Sequence, residues 1–382
     1  MDEFEEIRCF DDSEVAGRLL PLANEPRVKG AVMQLMPELD WSNFEAQLKQ
    51  INTIDDFQIK IIGPFVHRLA ERTCKSTELK NADLTDPNHA SLYITNHRDI
   101  VLDSAFLNTL LIGHGIKTAE IAIGDNLLIY PWIRDLVRLN KSFIVKRSVP
   151  VRQMLEVSKV LSRYIHHVIA DKNNPVWIAQ REGRSKDSSD QTQASVIKML
   201  ALGGASRSIV ENIHHLNLQP VALSYEFDPC DYLKASEFQL KRDNADYKKT
   251  QAEDLQSMAT GLFGYKGRVI FTITPQLNPL LERFPAEMDK NAQVNAICAV
   301  IDEALHRNMH LFEINYVAYD LRFQTDKYAD KYTVAQKEAA IEYLNGQMAK
   351  INVPNRDDDF LWERLLTMYS NPVVNFENVK QK

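Results

Sequence analysis

Between residues 91 and 274 short apolar strands alternate with helical stretches, and few folds accommodate that rhythm. Apolar runs bounded by turn residues predict strands over 92–95, 120–123, 142–146, 176–180, 220–225 and 268–274. Helical spacing predicts helices over 99–112, 127–138, 151–169, 192–202, 205–216 and 251–262. The strands are short and apolar, so both faces of the sheet they form need cover, which the intervening helices supply. The expected class is α/β, a central mixed sheet covered by helices on both faces, with helical N- and C-terminal extensions.

Those extensions set the expected organisation: 1–75 a helical N-terminal region, 76–283 the α/β domain, 284–382 a helical C-terminal extension. Asp12-Ser13 caps a first helix, Pro26 starts a second and Asp40-Trp41-Ser42 opens a third. The strongest helical pattern there is 55–73, where Phe57, Ile61, Ile62, Phe65 and Leu69 recur at helical spacing, with a bend expected at Gly63-Pro64. Residues 76–90 are polar and hold the turn Asp86-Pro87-Asn88. The polar stretch 228–250 reads as an excursion over the surface. Helices are expected over 289–308 and 333–351, then a short one over 360–369, with a loose tail after Pro372.

The chain of 382 residues has a net charge of −7, which disfavours nucleic acid as a partner and confines any anion site to a local cluster of cations. Cys9, Cys74, Cys230 and Cys298 are far apart and show no metal-ligand spacing, so reduced thiols and no metal are expected. The acidic start is wrong for a secretory signal, and no uncharged apolar run approaches the ~20 residues of a membrane span. A cytoplasmic chain, peripheral on a membrane at most, is the expectation.

Chemistry concentrates in Asn96-His97-Arg98-Asp99-Ile100-Val101-Leu102-Asp103, between an expected strand and an expected helix. A histidine at such a turn is exposed on a rigid base, and a carboxylate on its second nitrogen makes it a general base. If the helix begins near Arg98, Asp99 and Asp103 share one of its faces. The bland alternative is a helix cap with a surface ion pair. The His-Arg-Asp triplet also imitates a protein-kinase loop, but Ser104 stands where that loop needs Asn, and the other kinase motifs are missing.

Three further blocks follow. Lys141-Ser142-Phe143-Ile144-Val145-Lys146-Arg147 is a strand ending in two cations. Arg181-Glu182-Gly183-Arg184-Ser185-Lys186 follows another strand, with three cations around a glycine that lets backbone approach a ligand. Leu218-Gln219-Pro220-Val221-Ala222-Leu223-Ser224-Tyr225 is an apolar strand that core packing alone explains.

In this order the four blocks resemble the glycerolipid acyltransferase family of glycerol-3-phosphate and 1-acylglycerol-3-phosphate O-acyltransferases, over about residues 80–275. The resemblance implies a general base at His97 with the first-block Asp as its partner. It implies that Lys146, Arg147, Glu182, Gly183, Arg184 and Ser185 bind the phosphorylated acceptor, and that Pro220 and Val221 wall the acyl-donor pocket. The reaction implied is O-acyl transfer from a thioester, carried by acyl-CoA or acyl-carrier protein, to a glycerol-phosphate-type hydroxyl, with no cofactor and peripheral contact with a membrane. Alternatives are another lyso-lipid or acyl-amino-acid acceptor, or a non-catalytic lipid-binding protein on the same fold. The sequence departs from the family in three places. Five residues separate His97 from Asp103 where four are usual, Glu182 and Arg184 are one residue closer than usual, and Lys141 stands where Gly is common. Asp103 is expected as the partner of His97, because a helical side chain one turn in points back toward the N-terminus. Asp99 is the rival, better placed as the helix cap.

Overall fold

The computed structural model describes residues 3–128, 130–285 and 287–381. Its centre is a seven-stranded sheet. The strands are β1 Cys74–Lys80, β2 Leu92–Thr95, β3 Glu120–Gly124, β4 Ser142–Val145, β5 Val176–Ala179, β6 Leu218–Tyr225 and β7 Gly267–Ile273. Their order across the sheet is β1-β7-β6-β2-β5-β3-β4. β2 pairs parallel with β5 and β6, and β3 pairs parallel with β4 and β5. Strand β7 runs antiparallel to β6, and β1 parallel to β7. The C-terminal ends of β2 to β6 therefore open on one edge, where ligands gather in sheets of this kind.

Alternation along β2 divides the core. Leu92 and Ile94 join Val176, Ile178 and Leu218 on one face, beneath the helices Val151–Ala170, Ala194–Ala201 and Lys290–Asn308. Tyr93 joins Trp177, Val221 and Leu223 on the other, beneath the helices Gly63–Thr73 and Leu102–Gly113. This is the fold class expected from the sequence.

Strand β1 was not expected. It is an edge strand, and only Leu79 of its seven residues is fully buried, so it lacks the apolar alternation that marks a strand. The segment 54–73 is helical but breaks into the turn Ile54–Phe57, a π-helical segment Gln58–Ile62 and the helix Gly63–Thr73, so the distortion falls just ahead of Gly63-Pro64. The helix after β3 runs Pro131–Leu139, and Ile129, inside the expected span, lies outside the described residues.

The surface excursion expected at 228–250 contains the helix Asp231–Asp243, with Asp231, Lys234, Glu237 and Gln239 buried. Its buried face is polar, so no apolar stripe revealed it. Lys234 pairs with Asp228, Lys186 with Glu237, and Gln239 donates to the carbonyls of Pro354 and Asn355. The C-terminal extension also differs from expectation. It holds an additional helix, Glu313–Phe323, and its last helix runs Asp358–Lys380, through Pro372. Val373 and Val379 are buried, so the expected loose tail is packed.

The extension is tied to the sheet domain through Asp231, which is fully buried. Its Oδ2 accepts from the hydroxyls of Tyr369 at 2.7 Å and Tyr343 at 3.0 Å. Burial first, and the charge of Asp228 second, push its carboxyl from an ordinary 3.8 up to about 7. Between those values the folded chain holds a proton that the unfolded chain releases. The stabilisation is complete below the unfolded value and is lost as the pH rises through the folded one. At about 1.4 kcal/mol per unit, the contribution is at most about 4 kcal/mol. Urea unfolding should therefore show wild type losing its advantage over Asp231→Asn as the pH rises from about 5 to about 7.5. An advantage that stays constant over that range contradicts the assignment.

Candidate active site

The turn after β2 is held by its own carboxylates. The helix begins at Leu102 rather than near Arg98, so Asp99 precedes it and Asp103 lies in its first turn. Oδ1 of Asp99 accepts from the amides of Val101 at 2.9 Å and Leu102 at 2.8 Å, the work of a helix cap. Asp103 is 0% exposed. Its Oδ2 accepts from the amides of Arg98 at 2.7 Å and Asp99 at 3.1 Å and from Nδ1 of His97 at 2.8 Å. Its Oδ1 accepts from the hydroxyl of Tyr225 at 3.0 Å. The structure thus brings His97 and Asp103 together and turns Asp99 to the backbone. Burial first, and the charge of Asp103 second, push the Asp99 carboxyl above the usual range. His97, Asp99 and Asp103 do not converge on a common point as metal ligands do, and no group of three His, Cys, Asp or Glu that could hold a metal occurs among the described residues.

Two neighbours brace this turn. Arg98 makes a bidentate pair with the buried Asp190, at 2.8 and 2.5 Å. Asn96 exchanges two hydrogen bonds with the backbone of Leu223 in β6, at 2.9 and 2.8 Å. The imidazole packs edge-on to Trp177 of β5, ring centres 6.2 Å apart.

His97 lines a cavity of about 1000 Å³ at the C-terminal edge of the sheet. Its lining mixes apolar residues, among them Leu127, Val145, Met154, Val157 and Met199, with the cations Lys146, Arg147, Arg181, Arg184, Lys186 and Lys234. Arg184 matters most among these. Its Nη1 is buried without a hydrogen-bond partner, and Gly183 before it has φ +70°, in the left-handed region that favours glycine. The amide of Ser185 donates to the carbonyl of His97 at 2.9 Å, which links the Arg184 loop to the histidine. Asn371 and Asn375 of the last helix donate to the carbonyls of Asp187 and Ser188, at 2.7 and 2.9 Å. The C-terminal extension therefore fixes the loop that carries Arg184.

Other expected site residues differ in placement. Arg147 lines the cavity and pairs with the exposed Glu182 at 3.5 Å, so Glu182 orients a cation. Lys146 also lines the cavity, but its ammonium pairs with Glu6. Ser185 is buried, with its hydroxyl near Asp187 at 3.4 Å. Pro220 and Val221 do not line the cavity. Both lie inside β6, fully buried and paired with Ile94 and Thr95 of β2, so the donor-pocket role that the resemblance implied for them has no support in the geometry. Lys141, where the family commonly has Gly, sits at φ +53°. A left-handed residue with a side chain costs roughly 1–2 kcal/mol, and here its ammonium is held by Thr118 at 2.9 Å and Asp55 at 2.5 Å.

Sequence reasoning missed Tyr225, Trp177 and Lys234 as site residues. The first two sit within strands and read as core. Lys234 is only 3% exposed and bonds to Asp228 and the carbonyl of Arg98. Only the helix at 231–243 would have brought it to notice.

Residues 76–219 match the family model described as Acyltransferase. No curated protein matches the chain. Among solved structures the chain is similar to the 1-acyl-sn-glycerophosphate (LPA) acyltransferase PlsC from Thermotoga maritima. The identity is 10%, the match covers 75% of this chain and 95% of that one, and the TM-score is 0.36.

Proposed function

We propose, on the premise that the chain belongs through residues 76–219 to the acyltransferase family and is an acyltransferase, that it moves a fatty acyl group from a thioester to a hydroxyl of a glycerol-phosphate-type acceptor. Glycerol-3-phosphate and 1-acylglycerol-3-phosphate are the acceptors this reading names, with acyl-CoA or acyl-carrier protein as the donor and phospholipid synthesis as the setting. One observation carries it. His97, tied through Nδ1 to a buried carboxylate, shares a cavity with Arg184, whose buried Nη1 has no partner in the protein.

The chemistry follows from these groups. Nδ1 is held by Asp103, which leaves Nε2 to take the acceptor's proton as its oxygen attacks the thioester carbonyl. The C–S bond then breaks, and the imidazolium returns the proton to the thiolate. Asp103 stabilises that imidazolium and fixes the tautomer. Charge developing on the thioester oxygen needs N–H donors. The amides of Arg98, Asp99, Val101 and Leu102 are held by the two carboxylates, and Ile100 between them lines the cavity, which makes its amide the candidate donor. Arg184 and Arg147 hold the acceptor's phosphate and so orient its hydroxyl. The apolar lining residues take the acyl chain.

Peripheral attachment to the cytoplasmic face of a membrane belongs to the same reading. No helix among the described residues is long and apolar enough to cross a membrane. The segment 54–73 packs Val66 and Leu69 into the core and contributes nothing to the cavity wall. Val151, Met154 and Leu155 are exposed in the first turns of the helix Val151–Ala170, where Met154 also lines the cavity, and suit a lipid surface.

Arg184→Ala tests the acceptor site. A charge-assisted contact contributes roughly 1.5–3 kcal/mol, so KM for the phosphorylated acceptor should rise by about one to two decades while the donor KM barely moves. Wild type should also strongly prefer glycerol-3-phosphate to glycerol, and 1-acylglycerol-3-phosphate to monoacylglycerol. A rise in the donor KM with the acceptor KM unchanged would assign the arginine to the donor's phosphates.

A further inference from the structure

Tyr225 closes β6, the strand next to β2, and its hydroxyl donates to the oxygen of Asp103 that His97 does not use. The phenol is buried in the same apolar cluster as Trp177 and Phe106. Among the described residues His97 and Tyr225 are the two side-chain donors to Asp103, and the amides of Arg98 and Asp99 complete its shell. We propose that Tyr225 is a positioning residue of the dyad, which keeps Asp103 turned to His97 and limits how strongly the carboxylate draws a proton onto the imidazole.

A buried carboxylate out of reach of water becomes more basic, and a donor to its charged form opposes that. Tyr225 is suited to be that donor. Burial first, and the charge of Asp103 second, hold its own ionisation well above the ordinary value, so it keeps its proton. The other groups around the pair are spread over several elements. Arg98 and Asp99 share its turn, Arg184 follows β5, Asp228 follows β6, Lys266 precedes β7, and Cys74 begins β1. Burial raises the Cys74 thiol, which stays neutral. None of these groups bonds to the Asp103 side chain except Arg98 and Asp99, through their amides. Replacing the phenol with a phenyl ring therefore changes one donor and leaves this charge pattern in place.

The inference rests on His97 being the general base, so its test includes a readout that needs no turnover. His97 is titrated by NMR in the full chain labelled at histidine, in wild type, in Tyr225→Phe and in protein carrying difluorotyrosine at position 225. Tyr225→Phe should raise the His97 titration midpoint by roughly 0.5–1 pH unit, because the carboxylate then binds the imidazolium more strongly. The acid limb of kcat/KM should move up by the same amount, with the plateau falling less than about tenfold. The more acidic fluorinated phenol is a stronger donor and should move both the other way. If Tyr225→Phe does not fold, the fluorinated protein decides alone, since its shape is nearly unchanged. A titration that shifts in a chain without transferase activity supports the role of Tyr225 and overturns the reading of function. A midpoint that does not move in either altered protein overturns the role of Tyr225 and shows that the phenol only fills space.

Discussion

His97→Ala is expected to abolish measurable acyl transfer, with a loss of about 10²–10⁴-fold or more, the usual contribution of a positioned general base. The acceptor hydroxyl is a poor nucleophile until its proton leaves. Nδ1 of His97 is held by a carboxylate that is itself fixed by two backbone amides, so Nε2 is aimed without side-chain reorganisation. Among the described residues no other histidine lines the cavity. Folding should survive, because Asp103 keeps the amides of Arg98 and Asp99 and the hydroxyl of Tyr225 as partners when the imidazole is gone. Thermal unfolding and acceptor binding, measured beside turnover, separate lost chemistry from lost structure. Near-normal turnover with unchanged thermal stability would remove His97 from the mechanism.

Asp103→Asn should depress turnover almost as far, by about 10²–10⁴-fold, through a different cause. An amide carries no charge to support the imidazolium. If its nitrogen faces Nδ1, the ring must present a lone pair there and carry its proton on Nε2, which can then accept nothing. The turn keeps its order where the amide oxygen takes the place of Oδ2, the atom that accepts from the amides of Arg98 and Asp99 and from His97, and the nitrogen then faces the Tyr225 hydroxyl in the place of Oδ1. Asp99→Asn supplies the contrast. The amides of Val101 and Leu102 both bond to one oxygen of Asp99, and Asn retains such an oxygen. Its effect should stay within a few-fold. Turnover and unfolding of the two variants side by side check the ranking. An inactive Asp99→Asn beside an active Asp103→Asn would mean that the acid nearer in sequence is the partner.

Much of this architecture is legible in the chain because the sheet core has a regular period. In β2 and β6 every residue is buried, so their apolar runs stand out against polar loops. The His97 turn is legible for a related reason, since strand, histidine, carboxylate and apolar helix follow one another within about two dozen residues. The extra residue between His97 and Asp103 has a place in the structure. The helix begins only at Leu102, and Asp99 accepts from the amides of Val101 and Leu102 at its start.

What the sequence hides is burial among polar groups. The helix at 231–243 buries glutamate and glutamine against Lys186 and Asp357, 51 and 118 residues distant, and lysine against the carbonyl of Arg98, 136 residues distant, and only folding brings those together. Strand β1 shows most of its side chains to solvent because it lies at the sheet's edge. Pro372 reads as a helix terminator, yet it falls inside a helix anchored by Val373 and Val379 beyond it. Tyr225 looks like any strand aromatic until β6 is set beside β2 and its hydroxyl meets Asp103. The fourth block misled in the opposite sense. Pro220 and Val221 look like a pocket wall by resemblance, whereas the parallel pairing of β6 with β2 places both inside the sheet.

The proposed reaction joins an acyl group to the hydroxyl of a phosphorylated acceptor, with His97 as the base. It is tested most directly by following thiol release from a fatty acyl thioester, with the ester product identified by mass spectrometry. Glycerol-3-phosphate and 1-acylglycerol-3-phosphate are offered in parallel, to wild type and to His97→Ala. Thiol release should depend on one of these acceptors, be matched mole for mole by new ester, and be lost in His97→Ala. Thiol release at the same rate without any acceptor, or ester formation undiminished in His97→Ala, would contradict it.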